Sequence, residues 1–433
     1  MVYLFLVIIG FMSFIRIQLK KYFGLDIDWH LVYHLITLIL GILVIIKTFI
    51  KGKIAFRKIE TSFLIIIFSF LFTGFFYINN NIFITYWGIF EYLYIFLLSY
   101  FLSFFTPTQK NIKLVYKSFK ILVFLMVGVA IYQEVEYLLN KLGVISFMIF
   151  HNHPLEAIRL GILRPPSLVG SPTEWGSVAL IYFLMELYLN NFKLSTGNII
   201  LVLTFFISVT RSLYLCFSSV MFLMFMFKKR NLVGEIVDKL ELLRRRKNIG
   251  KIKILLFSIG LIILTLLGIY TIYSRNIDFL YSEGHLRGYA LWIAKNIENK
   301  IIGIGPGMFG SYVSFITKTP YLEKYQSYIL SEVERIKTID SYWIQIFIEM
   351  GIIGLLLNIL LFLIFYKIMY INFRSINEEN KIMKSIAFAC IFIPLIYAIN
   401  GIGFTTFIAS YVILTSLLAG IVWGYVRNIK RLQ

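Results

Sequence analysis

The 433-residue sequence predicts an all-α, polytopic membrane protein with about 12 transmembrane helices, and three observations carry that prediction. Hydrophobic residues make up 59% of the chain and charged residues 15%, too apolar a mix for the surface of a water-soluble domain of this length. Apolar runs of about 17–25 residues, each able to span ~30 Å of hydrocarbon as a helix, recur from end to end between short polar or basic breaks. The Lys and Arg residues fall mostly in every second break, the positive-inside pattern of a chain that crosses the bilayer back and forth. No stretch is left over for a separate soluble domain, so residues 1–433 read as one transmembrane domain.

The spans read as 1–15, 30–46, 61–78, 82–105, 120–139, 174–189, 195–210, 212–227, 254–273, 340–366, 385–400 and 405–426. The first, Val2 to Ile15, has no basic residue ahead of it and no small-residue cleavage site, and is expected to be a retained helix rather than a signal peptide. With both termini cytoplasmic, the inner breaks hold Lys47, Lys51, Lys53, Arg57 and Lys58, then Lys110, Lys113, Lys117 and Lys120, then the dense cluster at 228–253. The inverted topology would reverse the charge bias. In Glu235 to Lys253, Ile236, Val237, Leu240 and Leu243 stand at helical spacing ahead of Arg244, Arg245, Arg246 and Lys247. This reads either as a helix lying on anionic headgroups or as a charge cluster that sets topology.

The formal net charge of +20 is therefore assigned to topology and membrane lipids, not to nucleic acid. Cys216 and Cys390 both sit inside apolar runs, which excludes a disulfide framework and a cysteine-based metal site. Two outer segments stand out by length, 140–173 and 274–339, the second being an extracytoplasmic loop between the ninth and tenth spans. Long ordered loops are usually functional, so the chemistry is expected there.

Charges at membrane depth or at the rim of a bundle are costly, which makes each a site candidate. The first segment, Arg159 to Glu174, is broken by Gly and Pro and places Arg164 and Glu174 at the outer rim. In the second, Thr210-Arg211-Ser212, an arginine interrupts an apolar stretch too long for one span and short for two. Arg211 thus marks a tight outer turn, with either an anionic partner or a structural ion pair. The third runs from Gly284-His285-Leu-Arg287 through Trp292 to Gly303-Ile-Gly305-Pro306-Gly307-Met-Phe309-Gly310. Its glycines match G-x-G-x-x-G, but the dinucleotide reading needs a preceding strand and a βαβ unit, which are lacking. They are expected instead to let the backbone turn close to a lipid phosphate or a neighbouring helix.

The fourth segment, Asp340-Ser341-Tyr342-Trp343 to Glu349-Met-Gly351-Ile-Ile-Gly354, opens the tenth span. Asp340 and Glu349 are about two and a half helical turns apart, so they point to opposite faces and form no carboxylate pair. Asp340 either caps the helix or faces an outer cavity; Glu349 is expected to pack into the bundle. His151-Asn-His153 has ligand spacing, but only Glu156 stands nearby, so no metal is assigned.

Taken in this order and spacing, the four segments resemble the O-antigen ligase and Wzy-type polysaccharide polymerase superfamily over most of the chain. The pieces are the Arg/Pro loop Arg164 to Pro172, the Thr210-Arg211 pair, the loop with Arg287, Trp292 and Gly303 to Phe309, and Glu349-x-Gly351-x-x-Gly354. The resemblance implies a GT-C-like membrane glycosyltransferase in a bacterial cytoplasmic membrane. It would act on undecaprenyl-pyrophosphate-linked oligosaccharides at the outer leaflet without metal, cofactor or nucleotide sugar. Its partners would include a chain-length regulator and a flippase. The ligase branch typically opens its last catalytic helix with His-Asn; Asp340-Ser341 stands here instead and favours a polymerase of capsule, exopolysaccharide or O-antigen units.

Such a reaction must stabilise a departing diphosphate and remove a proton from the acceptor hydroxyl. Arginine binds phosphate oxygens in a fork, so Arg164, Arg211 and Arg287 are the expected diphosphate ligands. Asp340 is the expected base, with His285 or Glu174 as alternatives. Tyr281, Tyr289, Trp292 and Tyr342 are either sugar-stacking faces or part of the interfacial aromatic belt. The rival functions are a flippase or transporter, for which acids such as Glu91, Glu134 and Glu186 would be natural, and a scaffold in an export complex.

Overall fold

The computed structural model describes residues 2–15, 19–20, 23–24, 27–51, 57–77, 81–142, 144, 158–159, 162–163, 167, 171–192, 195–207, 213–222, 290, 293–320, 341–401 and 411–432. Its helices are α1 (Val2–Phe14), α2 (Trp29–Lys51), α3 (Lys58–Thr73, continued by a 3-10 turn Gly74–Tyr77), α4 (Ile82–Leu102), α5 (Gln109–Lys141), α6 (Pro172–Leu189) and α7 (Thr196–Ile207). They continue with α8 (Leu213–Phe222), the short α9 (Tyr312–Thr317), α10 (Tyr342–Ser375), α11 (Lys381–Asn400) and α12 (Tyr411–Leu432). Apart from a two-residue antiparallel pairing of Ile158–Arg159 with Ile162–Leu163, the described residues are helix, turn and loop.

Among the described residues, 6 helices are long and apolar enough to cross a membrane, and Val2–Ser13, Leu31–Lys47 and Leu213–Phe222 are shorter apolar helices. The expected span 254–273 and the basic stretch 235–253 lie outside the described residues. Among the described residues, three helix ends differ from the sequence reading. The fifth span belongs to a helix that begins at Gln109, because Thr108 caps it by accepting from the Asn111 N–H, and Lys and Asn do not break a helix. The tenth span runs on to Ser375, and the last runs on to Leu432, its expected start at 405 lying outside the described residues. At ~1.5 Å per residue, α5 extends about 50 Å, well past the hydrocarbon thickness.

Packing sorts the helices into an interior and a rim. Of the most apolar windows, 83% of α12 and 78% of α11 are buried, against 33% for α3 and 39% for α5. α12 lies against α4, α11 and α1; α11 lies between α6 and α10; α10 also packs on α3. The buried core includes Trp175, Tyr182, Phe96, Tyr397 and Trp423. The rim helices turn large apolar side chains outward, such as Leu38 and Ile42 on α2, Ile65, Phe68 and Phe72 on α3, and Leu356 and Leu363 on α10. Water would make such surface an aggregation site, whereas hydrocarbon solvates it.

Polar contacts gather at the two ends of the bundle, as alternating spans require. At one end the Tyr3 hydroxyl and Lys47 Nζ donate to the carbonyls of Phe105 and Phe104. There Glu60, fully buried, accepts from Trp423 Nε1 at 2.7 Å and pairs with Arg57 at 2.8 Å and Arg427 at 3.1 Å. Arg57 reaches Asn372 at 2.8 Å, and Arg427 reaches Ser103 at 2.8 Å. These are positions that the charge pattern places together on the inner side. The opposite end carries the glycine-rich loop.

Candidate functional site

Six of the eight expected site residues, Arg164, Arg211, His285, Arg287, Trp292 and Asp340, lie outside the described residues, as do Tyr281, Tyr289, His151 and His153. Glu174 and Tyr342 are described, and both are buried. Glu174 stands in the first turn of α6, where its N–H donates to the capping Ser171 hydroxyl at 3.4 Å and Pro172 opens the helix. Tyr342 follows the N-cap Ser341 of α10, one position beyond Asp340. Its ring lies edge-on to Tyr92 at 5.7 Å and is 2% exposed, so it packs in the bundle and offers no open face to a sugar. The first outer segment is pinned to α5 by Ser167, whose N–H donates to Gln133 and whose hydroxyl donates to the Met126 carbonyl.

The best-defined polar arrangement at this end is built where α10 breaks. Gly351 has φ 63 and ψ −159 in the middle of the helix, which interrupts the i→i−4 ladder and frees backbone groups inside an apolar bundle. Left unpaired there, each would cost several kcal/mol, roughly. The loop at 299–310 supplies partners for four of them. Ile304 and Gly305 N–H donate to the carbonyls of Ile348 and Glu349 at 3.0 and 2.8 Å. Ile352 and Ile353 N–H donate to the carbonyls of Lys300 and Ile301 at 3.0 and 3.1 Å. The loop thus runs beside the broken helix as a pairing strand.

Glu349 completes the joint from its side chain. One carboxylate oxygen accepts from the Gly307 N–H at 2.9 Å and the Tyr92 hydroxyl at 2.6 Å; the other accepts from the Phe309 N–H at 2.8 Å. The close approach explains the glycines. A Cβ on Gly303 would lie 2.6 Å from the Glu349 carbonyl, and one on Gly88 of α4 would lie 2.2 Å from the Gly307 nitrogen. The loop is further held by the Tyr77 hydroxyl, which donates to the Ile302 carbonyl, and by Glu91 of α4, which accepts from the Val313 N–H of α9 at 3.1 Å. Beneath it Ala290, Ile293, Ala294, Ile297, Phe309 and Ile348 form an apolar cluster of their own.

No protein-family model matches the chain, and no curated protein matches it.

Chemically, the Gly307 and Phe309 N–H groups converge on one acceptor, and that acceptor is the protein's own Glu349 side chain. Of the two expectations for these glycines, the approach to a neighbouring helix is the one realised. Glu349 packs into the bundle as expected, and with its oxygens engaged and no exposure it is an anchor rather than a base. The sequence reading missed that the G-x-G-x-x-G loop and the Glu-x-Gly pair are two halves of one joint. An acid two residues ahead of a glycine inside an apolar helix was the available signal.

Two acids considered as parts of a transport path are engaged by protein groups. Glu91 accepts from the Val313 N–H of α9, and Glu186 accepts from the Tyr116 and Tyr182 hydroxyls and from Asn190. Cys216 and Cys390 are free and buried. Among the described residues no group of three or more His, Cys, Asp or Glu could hold a metal ion.

Proposed function

We propose that this chain is a membrane polysaccharide polymerase that joins undecaprenyl-pyrophosphate-linked oligosaccharide repeat units at the outer leaflet. The observation that carries the reading is the joint itself. Two of the four sequence pieces that resemble the O-antigen ligase and Wzy-type superfamily, Gly303 to Phe309 and Glu349 to Gly354, interlock through backbone and carboxylate bonds although far apart in sequence. A family motif split over two segments has a physical reason to persist if its halves build one structure.

In this reading about 12 spans form a GT-C-like bundle in a bacterial cytoplasmic membrane, with the glycine loop on the extracytoplasmic side. The acceptor hydroxyl attacks the anomeric carbon, its proton passes to Asp340, and the bond to the diphosphate breaks as undecaprenyl pyrophosphate leaves. Arg164, Arg211 and Arg287 take up the charge that develops on the diphosphate. His285 and Glu174 are the alternatives to Asp340. A chain-length regulator and a flippase are the expected partners.

An O-antigen ligase has the same architecture and is separated from this reading by Asp340-Ser341 in place of His-Asn. A flippase needs a polar path across the bilayer, whereas Glu91, midway along α4, and Glu186, near the end of α6, are each bound by groups of the bundle. The deciding experiment incubates purified protein with lipid-pyrophosphate-linked repeat units and follows product length. Wild type yields higher oligomers, and Arg287→Ala loses roughly 10²-fold or more of the rate; full elongation by Arg287→Ala removes the diphosphate role.

A further inference from the structure

We infer that Glu349 is a positioning residue for glycosyl transfer, holding the extracytoplasmic segment in register with α4 and α10. The inference rests on the polymerase reading. The geometry around the carboxylate selects a carboxylate. Gly307 and Phe309 both present N–H groups, one to each oxygen, and the Tyr92 hydroxyl donates as well. Only a group that accepts at both ends satisfies this set; glutamine has the same shape but turns one end into a donor.

The loop held this way satisfies backbone groups on both sides of the break in α10. Lys300, Ile301, Ile304 and Gly305 carry the four backbone bonds around Gly351, and the carboxylate fixes the loop just beyond them. Loosening Gly307 therefore disturbs the pairing of the whole joint. On the polymerase reading, the joint is tied to Arg287 through the chain next to the apolar cluster. Phe309, whose N–H is bound to Glu349, packs with Ala290 and Ile293. Arg287 precedes Ala290 by three residues, a stretch of chain that spans at most ~10 Å. A shift of about 1 Å in a positioned group is enough to cost roughly 10²-fold in rate.

The test uses full-length protein in lipid nanodiscs, with lipid-pyrophosphate-linked repeat units extracted from a strain of its own host that lacks the gene. Glu349→Gln is compared with wild type and with Glu186→Gln. Glu186 is a comparable hydrogen-bonded carboxylate that touches α5 and α6 but not the loop. Two quantities are read: hydrogen exchange of the backbone N–H groups at residues 303–313, and elongation at saturating and at limiting substrate.

Glu349→Gln is expected to speed exchange in that stretch at least tenfold. It should lower kcat by about 10²-fold with KM little changed, since the loss lies in orientation rather than in binding. Glu349→Asp, which keeps the charge but is one methylene shorter, should recover part of kcat; Glu186→Gln should leave both readings near wild type. Unchanged exchange at 303–313 in Glu349→Gln overturns the inference, and so does a loss of elongation no larger than that of Glu186→Gln. If wild type elongates nothing, the polymerase reading fails and takes this role with it. If wild type elongates and Glu349→Gln keeps pace, this inference fails alone.

Discussion

Gly351 and Gly128 both stand inside long apolar helices, yet their surroundings give substitution opposite signs. Gly351 has φ +63, and a Cβ there would lie 2.4 Å from the Ile301 carbonyl oxygen, so alanine must disrupt the joint with the loop. Gly128 of α5 has nothing within 4 Å of the corresponding position. Gly351→Ala is therefore expected to destabilise by more than ~1 kcal/mol, and Gly128→Ala to stabilise by about 0.5–1 kcal/mol through the lower entropy of the unfolded chain. Thermal unfolding in detergent reads both, and equal shifts would contradict the assignment of strain to Gly351. The sequence marked Gly351 as part of a motif but gave no sign that its φ is positive. That follows from a contact with a segment about 50 residues earlier in the chain, which no local pattern encodes.

Helices were the most legible level. Apolar runs located α1 to α4, α6 and α11 closely, because the length of an apolar stretch is fixed by the bilayer it must cross. The start of α5 was hidden because hydropathy registers where a helix enters hydrocarbon, and not where helical hydrogen bonding begins. Pro107-Thr108 was the local signal for that start, a capping residue after a helix breaker. Topology can be checked element by element with a membrane-impermeant thiol reagent. Lys113→Cys on α5 should react only from the cytoplasmic side and Glu298→Cys beside the glycine loop only from the outside. The native Cys216 and Cys390, buried at 0% exposure, should stay unmodified from either side. Labelling of both new cysteines from the same side would overturn the assigned orientation.

For the molecule as a whole, the sequence predicted a helical bundle, and the described helices pack against one another, with α11 and α12 the most buried. Which residues face each other remained illegible, since rim and core helices are almost equally apolar when lipid is the solvent. Half of the catalytic proposal is likewise carried by pattern alone: the arginines were picked out because charge is rare here, while the joint at Glu349 emerged only from the folded chain. Removing the gene from its host tests the activity at this scale. The surface should then carry single repeat units without a ladder of longer chains; accumulation of repeat units on the inner leaflet would point to a flippase instead.

The break at Gly351 also constrains how the molecule is assembled. α10 borrows bonding partners from Lys300 and Ile301, which are synthesised before it, so it cannot enter the membrane as a self-sufficient rod. Its turns around the break become lipid-tolerant only after the preceding segment has folded back onto α4 and α10. Completion of α10 is thereby made conditional on correct folding of the segment before it, and a chain that fails this step would present frayed backbone to the bilayer and be open to membrane proteases.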